Sequence, residues 1–84
     1  MMSLTIVARL WRDKSGNTYH RADVIVDGRY AGTTPIEYGY DLHYLKSVAT
    51  MLGVGTEHGL RRHCRDNGIV LHYQDSNVVC KAEL

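Results

Sequence analysis

Hydroxyl and imidazole groups that could bind a ligand or transfer a proton gather in two short stretches of this sequence. Residues 17–20 are NTYH, and residues 38–44 are YGYDLHY. The chain has six tyrosines and no phenylalanine, so it uses a ring with a hydrogen-bonding hydroxyl wherever a phenyl ring would fit. The alternative to a binding site is a packed junction whose hydroxyls contact water. The residues predicted to form a polar ligand-binding corner are His20, Tyr38, Tyr40 and His43.

Two arginines and two aromatic residues form a second candidate site. If two alternating segments pair across a short turn, Arg9 falls opposite Arg21 and Trp11 falls opposite Tyr19. Like charges directly opposite each other destabilise a sheet by up to about 1 kcal/mol, so an anion is expected between them. A phosphate is one candidate, with a base stacked on Trp11 or Tyr19. The carboxylate of Asp23, diagonal to Arg9, is the other.

The segment 58–65, HGLRRHCR, combines histidine, cysteine and arginine. His58 and the other potential ligands lack the spacings of zinc sites, so no metal is predicted. Arg61 and Arg65 are four residues apart and share one face of a helix. An ordinary solvated face is the favoured interpretation, and a small anion-binding patch that adds to the ligand site is the functional alternative.

Catalytic motifs are not recognisable: the sequence has no G-x-S-x-G, no P-loop and no paired carboxylates at catalytic spacing. An enzyme would have to use His20 with His43 or His72 as an acid–base pair on a phosphodiester. We predict a protein that is not an enzyme and needs no cofactor, with the phosphodiesterase as an alternative.

Alternating hydrophobicity defines the strands that must position these residues. Residues 4–11 alternate cleanly between apolar and mixed faces, and residues 18–26 do the same. Asp-Gly at 27–28 predicts a hairpin. A weaker third strand is predicted over 30–38. Because proline cannot donate to a ladder, Pro35 indicates that this strand either ends there or lies at the edge of the sheet.

The periodicity becomes helical after the third strand. A first helix is predicted with Asp41 as its N-cap and Gly53 as its stop. A second, shorter helix is predicted from Thr56 to the DNG sequence, followed by a strand over 69–74. Residues 78–84 either continue that strand or return as a hairpin. The order βββαα followed by β or ββ predicts an α+β fold, a small mainly antiparallel sheet with both helices on one face.

Strand register determines which of the candidate side chains share a face. The even-numbered residues of the first two strands are predicted to face the core, so residues paired across strands have an even sum. The same parity, continued through a three-residue turn, places four further residues on the core side. These are Tyr30, Thr34, Ile36 and Tyr38. Tyr38 would then lie close to His20 at the start of the first helix.

Composition limits the remaining classes of function. The 84 residues are predicted to form one domain, 1–84, and a chain this short buries only roughly 60–65% of its unfolded surface. The net charge of +1 gives no global attraction to nucleic acid or membrane. Cys64 and Cys80 are predicted to be reduced thiols, with one disulfide as the alternative. The N-terminus lacks a signal-peptide pattern, and no segment approaches the roughly 20 apolar residues of a membrane helix, so a cytoplasmic protein is predicted.

The segments SGNTYHRADVIVDG, YGYDLHYL and LRRHCRDNGIVL resemble a group of small uncharacterised proteins encoded by tailed phages and prophages. The resemblance runs from about Leu4 to the end of the chain. The matching positions are Asn17, Thr18, Tyr19, His20, Tyr38, Gly39 and Tyr40. Where a Tyr-Gly-Tyr-Gly pattern is expected, this chain has Asp41. The resemblance implies a phage context, in which proteins of this size often bind and disarm a host component, but it implies no established activity.

These observations predict a small accessory binding protein of the infected cell's cytoplasm, with an anti-defence role as one form of it. It would sequester an anionic nucleotide-like ligand or block a host protein. The alternative is an oligomerisation or interaction module without a small ligand, and a nucleic-acid-binding module ranks third. A homodimer or higher oligomer is predicted because one sheet face carries an apolar patch. That patch consists of Val7, Trp11, Tyr19 and Ile25.

Overall fold

The computed structural model of the chain describes residues 1–54 and 59–84. Its strands are β1 (Ser3–Arg12), β2 (Thr18–Val26), β3 (Arg29–Thr33), β4 (Glu37–Tyr38) and β5 (Val70–Val78). Its helices are α1 (His43–Leu52) and α2 (Gly59–Asp66), and a 3₁₀ turn covers Lys81–Glu83. The strands form one sheet in the order β3-β2-β1-β5, and β4 pairs with β2 beyond the end of β3. The predicted α+β class is confirmed.

The long hairpin of β1 and β2 has the predicted register. Arg9 lies opposite Arg21, and Trp11 lies opposite Tyr19. The even-numbered side chains from Leu4 to Leu10 and from His20 to Val24 are buried, which confirms the predicted parity. We call the sheet face that carries them the core face, and the opposite face, which carries Arg9 and Trp11, the outer face.

The third strand departs from the predicted parity twice. Asp27 and Gly28 form a two-residue turn, which places Tyr30 opposite Ile25 on the outer face. A bulge at Ala31 restores the expected register, so Thr34 is buried as predicted. A second slip between Thr34 and Glu37 turns Tyr38 outward again, because a one-residue shift exchanges the two faces of a strand. The core-side positions predicted for Tyr30 and Tyr38 are therefore wrong, and Ile36 is exposed rather than buried.

Thr34 lies between β3 and β4 and bonds the chain to β2. Its hydroxyl accepts a hydrogen bond from the Ala22 amide at 3.0 Å, and its own amide donates to the Ala22 carbonyl at 2.8 Å. The side chain is fully buried. The hydroxyl thus supplies the acceptor that a regular strand would provide from its backbone, because the Thr34 carbonyl accepts from Arg21 instead.

Replacing Thr34 by valine should lower the free energy of unfolding by about 1–3 kcal/mol, because the buried Ala22 amide would lose its acceptor. Thr34→Ser keeps the hydroxyl and loses one methyl group, which costs about 0.8 kcal/mol. Urea denaturation of the two variants beside the unchanged protein measures both effects. A valine variant at least as stable as the serine variant would contradict this account of Thr34.

Both helices cover the core face of the sheet. Helix α1 buries Tyr44, Leu45, Val48 and Ala49, and α2 buries Leu60 and Cys64. These side chains form one cluster with the inward-facing residues of β1 and β2. A connection that contains two helices is long enough to carry the chain from β4 across the core face to the opposite edge of the sheet, where β5 pairs in parallel with β1. The other strand pairings are antiparallel.

Helix α1 ends where the sequence predicts but does not have the predicted N-cap. Gly53 is left-handed, with φ +71°, and Val54 donates back to the Ala49 carbonyl, as in a glycine-terminated helix. The N-cap position is occupied by Leu42, without a side-chain cap, so the prediction of Asp41 as N-cap is wrong. Asp41 instead adopts a positive φ of 53° in the turn before the helix. The Thr56 cap predicted for α2 falls outside the described residues.

The C-terminal part resolves an alternative that the sequence left open. β5 continues to Val78, so the hairpin alternative is wrong. Cys64 is buried and Cys80 is exposed, and both are free thiols, as predicted. Across residues 1–54 and 59–84, the structure has no helix with the length and apolar character needed to cross a membrane.

Candidate functional site

Three aromatic side chains form a continuous row across the outer face, near the β1–β2 turn. Trp11 and Tyr19 are direct cross-strand partners whose rings stack at a centroid distance of 5.7 Å. Tyr38 pairs with Tyr19 from β4, and its ring meets Tyr19 edge-on, also at 5.7 Å. Tyr38 is 64% exposed, while Trp11 and Tyr19 are partly exposed. We call Trp11, Tyr19 and Tyr38 the aromatic row.

The Arg9 guanidinium next to this row is already paired with a carboxylate. Arg9 forms a two-pronged ion pair with Asp23, with nitrogen–oxygen distances of 2.9 and 3.3 Å. The hydrogen bond to Asp23 raises the pKa of Arg9 above its ordinary value. Hydrogen bonds from Arg9 and then from the Thr33 hydroxyl lower the pKa of Asp23. The internal salt bridge that the sequence offered as one of two solutions is therefore the one adopted by Arg9.

The neighbouring Arg21 guanidinium is only partly engaged. Its Nε donates to the Thr34 carbonyl at 3.0 Å. Its two terminal nitrogens form no hydrogen bond or ion pair with any residue in 1–54 or 59–84. Arg21 lies two residues beyond Tyr19 on the same face, about 7 Å along the strand. Arg21 therefore offers an oriented pair of donors close to the aromatic row.

Replacing Asp23 by asparagine should remove an acid-sensitive contribution to stability. The folded-state pKa of Asp23 lies below its ordinary value of 3.8. A lowered pKa stabilises the fold fully above the unfolded-state value, and this stabilisation is lost as the pH falls through the folded-state pKa. The free energy of unfolding, measured by denaturation from neutral to strongly acidic pH, should therefore fall less steeply in Asp23→Asn than in the unchanged protein. Asp66→Asn, on the exposed surface of α2, is the control. The prediction would be contradicted if, below pH 3.8, the free energy of unfolding fell equally steeply with pH in Asp23→Asn and in the unchanged protein.

The predicted polar corner forms, but with Tyr38 on the other face of the sheet. His20 is buried on the core face, whereas Tyr38 has its ring on the outer face, so the prediction that they share a face is wrong, although both residues line one cleft beside α1. The slip after Thr34 is the physical reason. His20 instead bonds to the Gly39 carbonyl at 3.1 Å and to the Ser47 hydroxyl at 2.8 Å.

Tyr40 and His43 lie at the rim of this corner. Tyr40 precedes α1, is 58% exposed and has its ring 5.3 Å from the ring of His43. His43 is the first residue of α1 and, together with His20, lines a cleft of about 470 Å³ between α1 and the β4 edge. The structure thus brings His20 and His43 to one cavity, as predicted, and leaves Tyr40 beside it.

Arg61 and Arg65 do not belong to either group. Both are exposed on α2, which packs on the core face, so they lie on the other side of the sheet from the aromatic row. Arg65 contacts Asp66 at 3.8 Å, and Arg62 contacts the same carboxylate at 3.6 Å. Within the described parts of the chain no group of three potential ligands could hold a metal ion, and His58 lies outside them.

Two polar contacts were missed by sequence reasoning. Ser47 reads as an ordinary polar residue of α1, yet it contacts the buried His20. Tyr44 is fully buried and its hydroxyl donates to Asp75 at 2.8 Å, while burial raises the pKa of Tyr44. The inward face of α1, read together with the alternation of the final strand, is the signal that could have paired Tyr44 with Asp75.

No family model matches the chain, and no curated protein or solved structure matches it either.

Proposed function

We propose that this protein binds a small nucleotide-like anion on the outer face of its sheet. The observation that carries the proposal is the aromatic row beside the Arg21 terminal nitrogens, which bond to no residue that the structure describes. A base would stack on Trp11 and Tyr19, and a phosphate would accept from the Arg21 guanidinium. Base–aromatic stacking contributes about 1–3 kcal/mol per base and tolerates different bases.

The charge distribution favours a short ligand over a long strand of nucleic acid. Arg9 is neutralised by Asp23, so Arg21 contributes the net positive charge of the arginine pair. A protein that follows a nucleic-acid backbone neutralises several phosphates with several cations. One guanidinium next to three rings suits a ligand with one or two phosphates. The net charge of +1 agrees with this assignment.

The experiment is a calorimetric titration of the protein with a panel of mono-, di- and cyclic nucleotides. We expect saturable heat with one ligand per chain and weaker binding as salt is added, since a charge pair is screened by ions. Inorganic phosphate and free nucleosides are the controls, and each should bind more weakly than the nucleotide that combines them. Absence of heat from every nucleotide at high micromolar concentration would overturn the proposal.

The resemblance to phage-encoded proteins supports a biological setting for this binding. We propose that the protein acts in the cytoplasm of an infected cell, where it would sequester a nucleotide-like molecule on which a host response depends. Sequestration needs affinity and abundance rather than catalysis, which agrees with a site made of stacking rings and a fixed cation. Co-purification of a nucleotide from infected cells, detected by mass spectrometry, tests this setting separately from the binding itself.

Self-association is the second candidate function, and the open outer face favours it. Val7 and Ile25 lie partly exposed on that face, which neither helix covers. A partner copy would bury these side chains together with Trp11 and Tyr19. Sedimentation at micromolar concentration should then give at least twice the single-chain mass of 9.5 kDa. A mass of one chain would exclude this candidate, and dissociation on addition of nucleotide would show that ligand and partner compete for one face.

A further inference from the structure

The buried imidazole of His20 is held by two hydrogen bonds that fix its tautomer. Its Nδ1 lies 3.1 Å from the Gly39 carbonyl oxygen, which can only accept. Nδ1 must therefore carry the proton. In the neutral ring Nε2 is then an acceptor, and the Ser47 hydroxyl, 2.8 Å away, donates to it.

This arrangement has the three parts of an activated serine. A hydroxyl donates to an imidazole, and a third group orients that imidazole through its other nitrogen. The orienting group here is a backbone carbonyl instead of a carboxylate. A buried histidine that serves only packing could form the same bonds, so an activated serine also needs an open cavity through which a substrate can reach the hydroxyl.

His20 and Ser47 do face one. Both line the cleft of about 470 Å³ between α1 and the β4 edge, and Ser47 is partly exposed whereas His20 is 1% exposed. The base is thus protected from bulk water while the hydroxyl is accessible from the cleft. The same cleft is lined by Lys46 and His43, which are potential donors to a developing oxyanion, and by Glu37.

We propose that Ser47 is a nucleophile for acyl transfer from a small ester, with His20 as its general base. The Ser47 oxygen would form a bond to the carbonyl carbon while its proton passes to His20 Nε2. The C–O bond to the leaving alcohol then breaks, and Nε2 returns the proton to that alcohol. Attack of water on the acyl-serine, assisted by His20 in the same way, releases the carboxylic acid and restores Ser47.

The charges around the cleft indicate the class of ester. Glu37 lines it together with Lys46, so a negatively charged acyl group would be repelled by the Glu37 carboxylate. An uncharged ester avoids this repulsion and still presents a carbonyl oxygen to Lys46 or His43. Tyr38 lines this cleft and also belongs to the aromatic row. Ser47 and His20 do not belong to that row, so the proposal does not depend on nucleotide binding at the outer face.

The test treats the intact protein with a fluorophosphonate, which phosphonylates activated serines and releases fluoride. We expect a single adduct in the intact mass, mapped to Ser47 by peptide sequencing in the unchanged chain. Because the position is read in the unchanged protein, the result does not depend on whether a variant folds. No adduct, or an adduct at another residue, overturns the proposal.

Matched variants then measure the contribution of the dyad. Ser47→Ala should lower the rate of p-nitrophenyl acetate hydrolysis about 100-fold or more, because general-base assistance contributes at least that much. Ser15→Ala removes an exposed turn hydroxyl and should leave the rate unchanged. Equal rates in both variants would overturn the proposal. Nucleotide binding measured in Ser47→Ala should persist, which separates this site from the one on the outer face.

Discussion

Replacement of Arg21 by lysine should weaken nucleotide binding about 10- to 100-fold while leaving the fold intact. Lysine keeps the positive charge but lacks the planar fork that can donate to two phosphate oxygens at once. A hydrogen bond to a charged group contributes about 1.5–3 kcal/mol, and every 1.4 kcal/mol is a factor of ten in affinity. The variant also loses the Nε bond to the Thr34 carbonyl that orients the guanidinium. Calorimetric titration with the tightest nucleotide of the panel measures the change.

The control for this variant is Arg29→Lys. Arg29 is exposed at the start of β3, beside the hairpin turn. Its replacement by lysine is the same conservative change, made away from the aromatic row. Its nucleotide affinity should match that of the unchanged protein. If Arg21→Lys also bound with unchanged affinity, the guanidinium would have no specific role in the site.

Replacement of Gly39 by alanine should be the most destabilising of the substitutions considered. Gly39 has φ +147°, which L residues rarely adopt. A Cβ there would lie 2.5 Å from His43 Nδ1 and 2.8 Å from His43 Cβ. The His43 imidazole could rotate away, but the His43 Cβ is attached to the backbone of the first residue of α1, so the helix itself would have to move. Backbone strain and overpacking each cost about 1–3 kcal/mol, and both apply here.

Gly28→Ala separates the two contributions. Gly28 also has a positive φ, of 79°, but a Cβ at that position would have no atom within 4 Å. Gly28→Ala should therefore be destabilised only by backbone strain. The free energy of unfolding from urea denaturation should be well below that of Gly28→Ala in Gly39→Ala. Equal losses in the two variants would show that the approach of Gly39 to His43 has no energetic consequence. A Gly39 variant that folds should also have altered fluorophosphonate labelling, because the Gly39 carbonyl orients His20.

The sequence was sufficient for the fold class, for most of the elements and for the first hairpin. Alternation in residues 4–11 and 18–26 is strict, and the central residues of one face are buried, so only one register satisfies both strands. The cross-strand pairs Arg9–Arg21 and Trp11–Tyr19 follow directly from it. Gly53 marked the end of α1 because a helix commonly stops at a left-handed glycine.

The site on β4 could not be placed in this way. The two slips, at Ala31 and after Thr34, depend on the two-residue turn and on the hydroxyl of Thr34 replacing a backbone acceptor. Neither leaves a periodic signal in a strand this short. Each slip exchanges the faces, so the Tyr38 ring joined the aromatic row, although the residue still lines the cleft with His20. The bond from Ser47 to His20 joins residues 27 apart and depends on how α1 packs on the sheet.

The measurement that tests the outer-face site most directly is the fluorescence of Trp11, the only tryptophan in the chain. A base stacked on its ring should change the emission in a saturable way as a nucleotide is added, with the same midpoint as the calorimetric titration. Ribose phosphate, which has no base, should leave the emission unchanged, and Arg21→Lys should shift the midpoint to higher nucleotide concentration. If the emission stays constant when each nucleotide is added up to millimolar concentration, base stacking on the aromatic row would be contradicted.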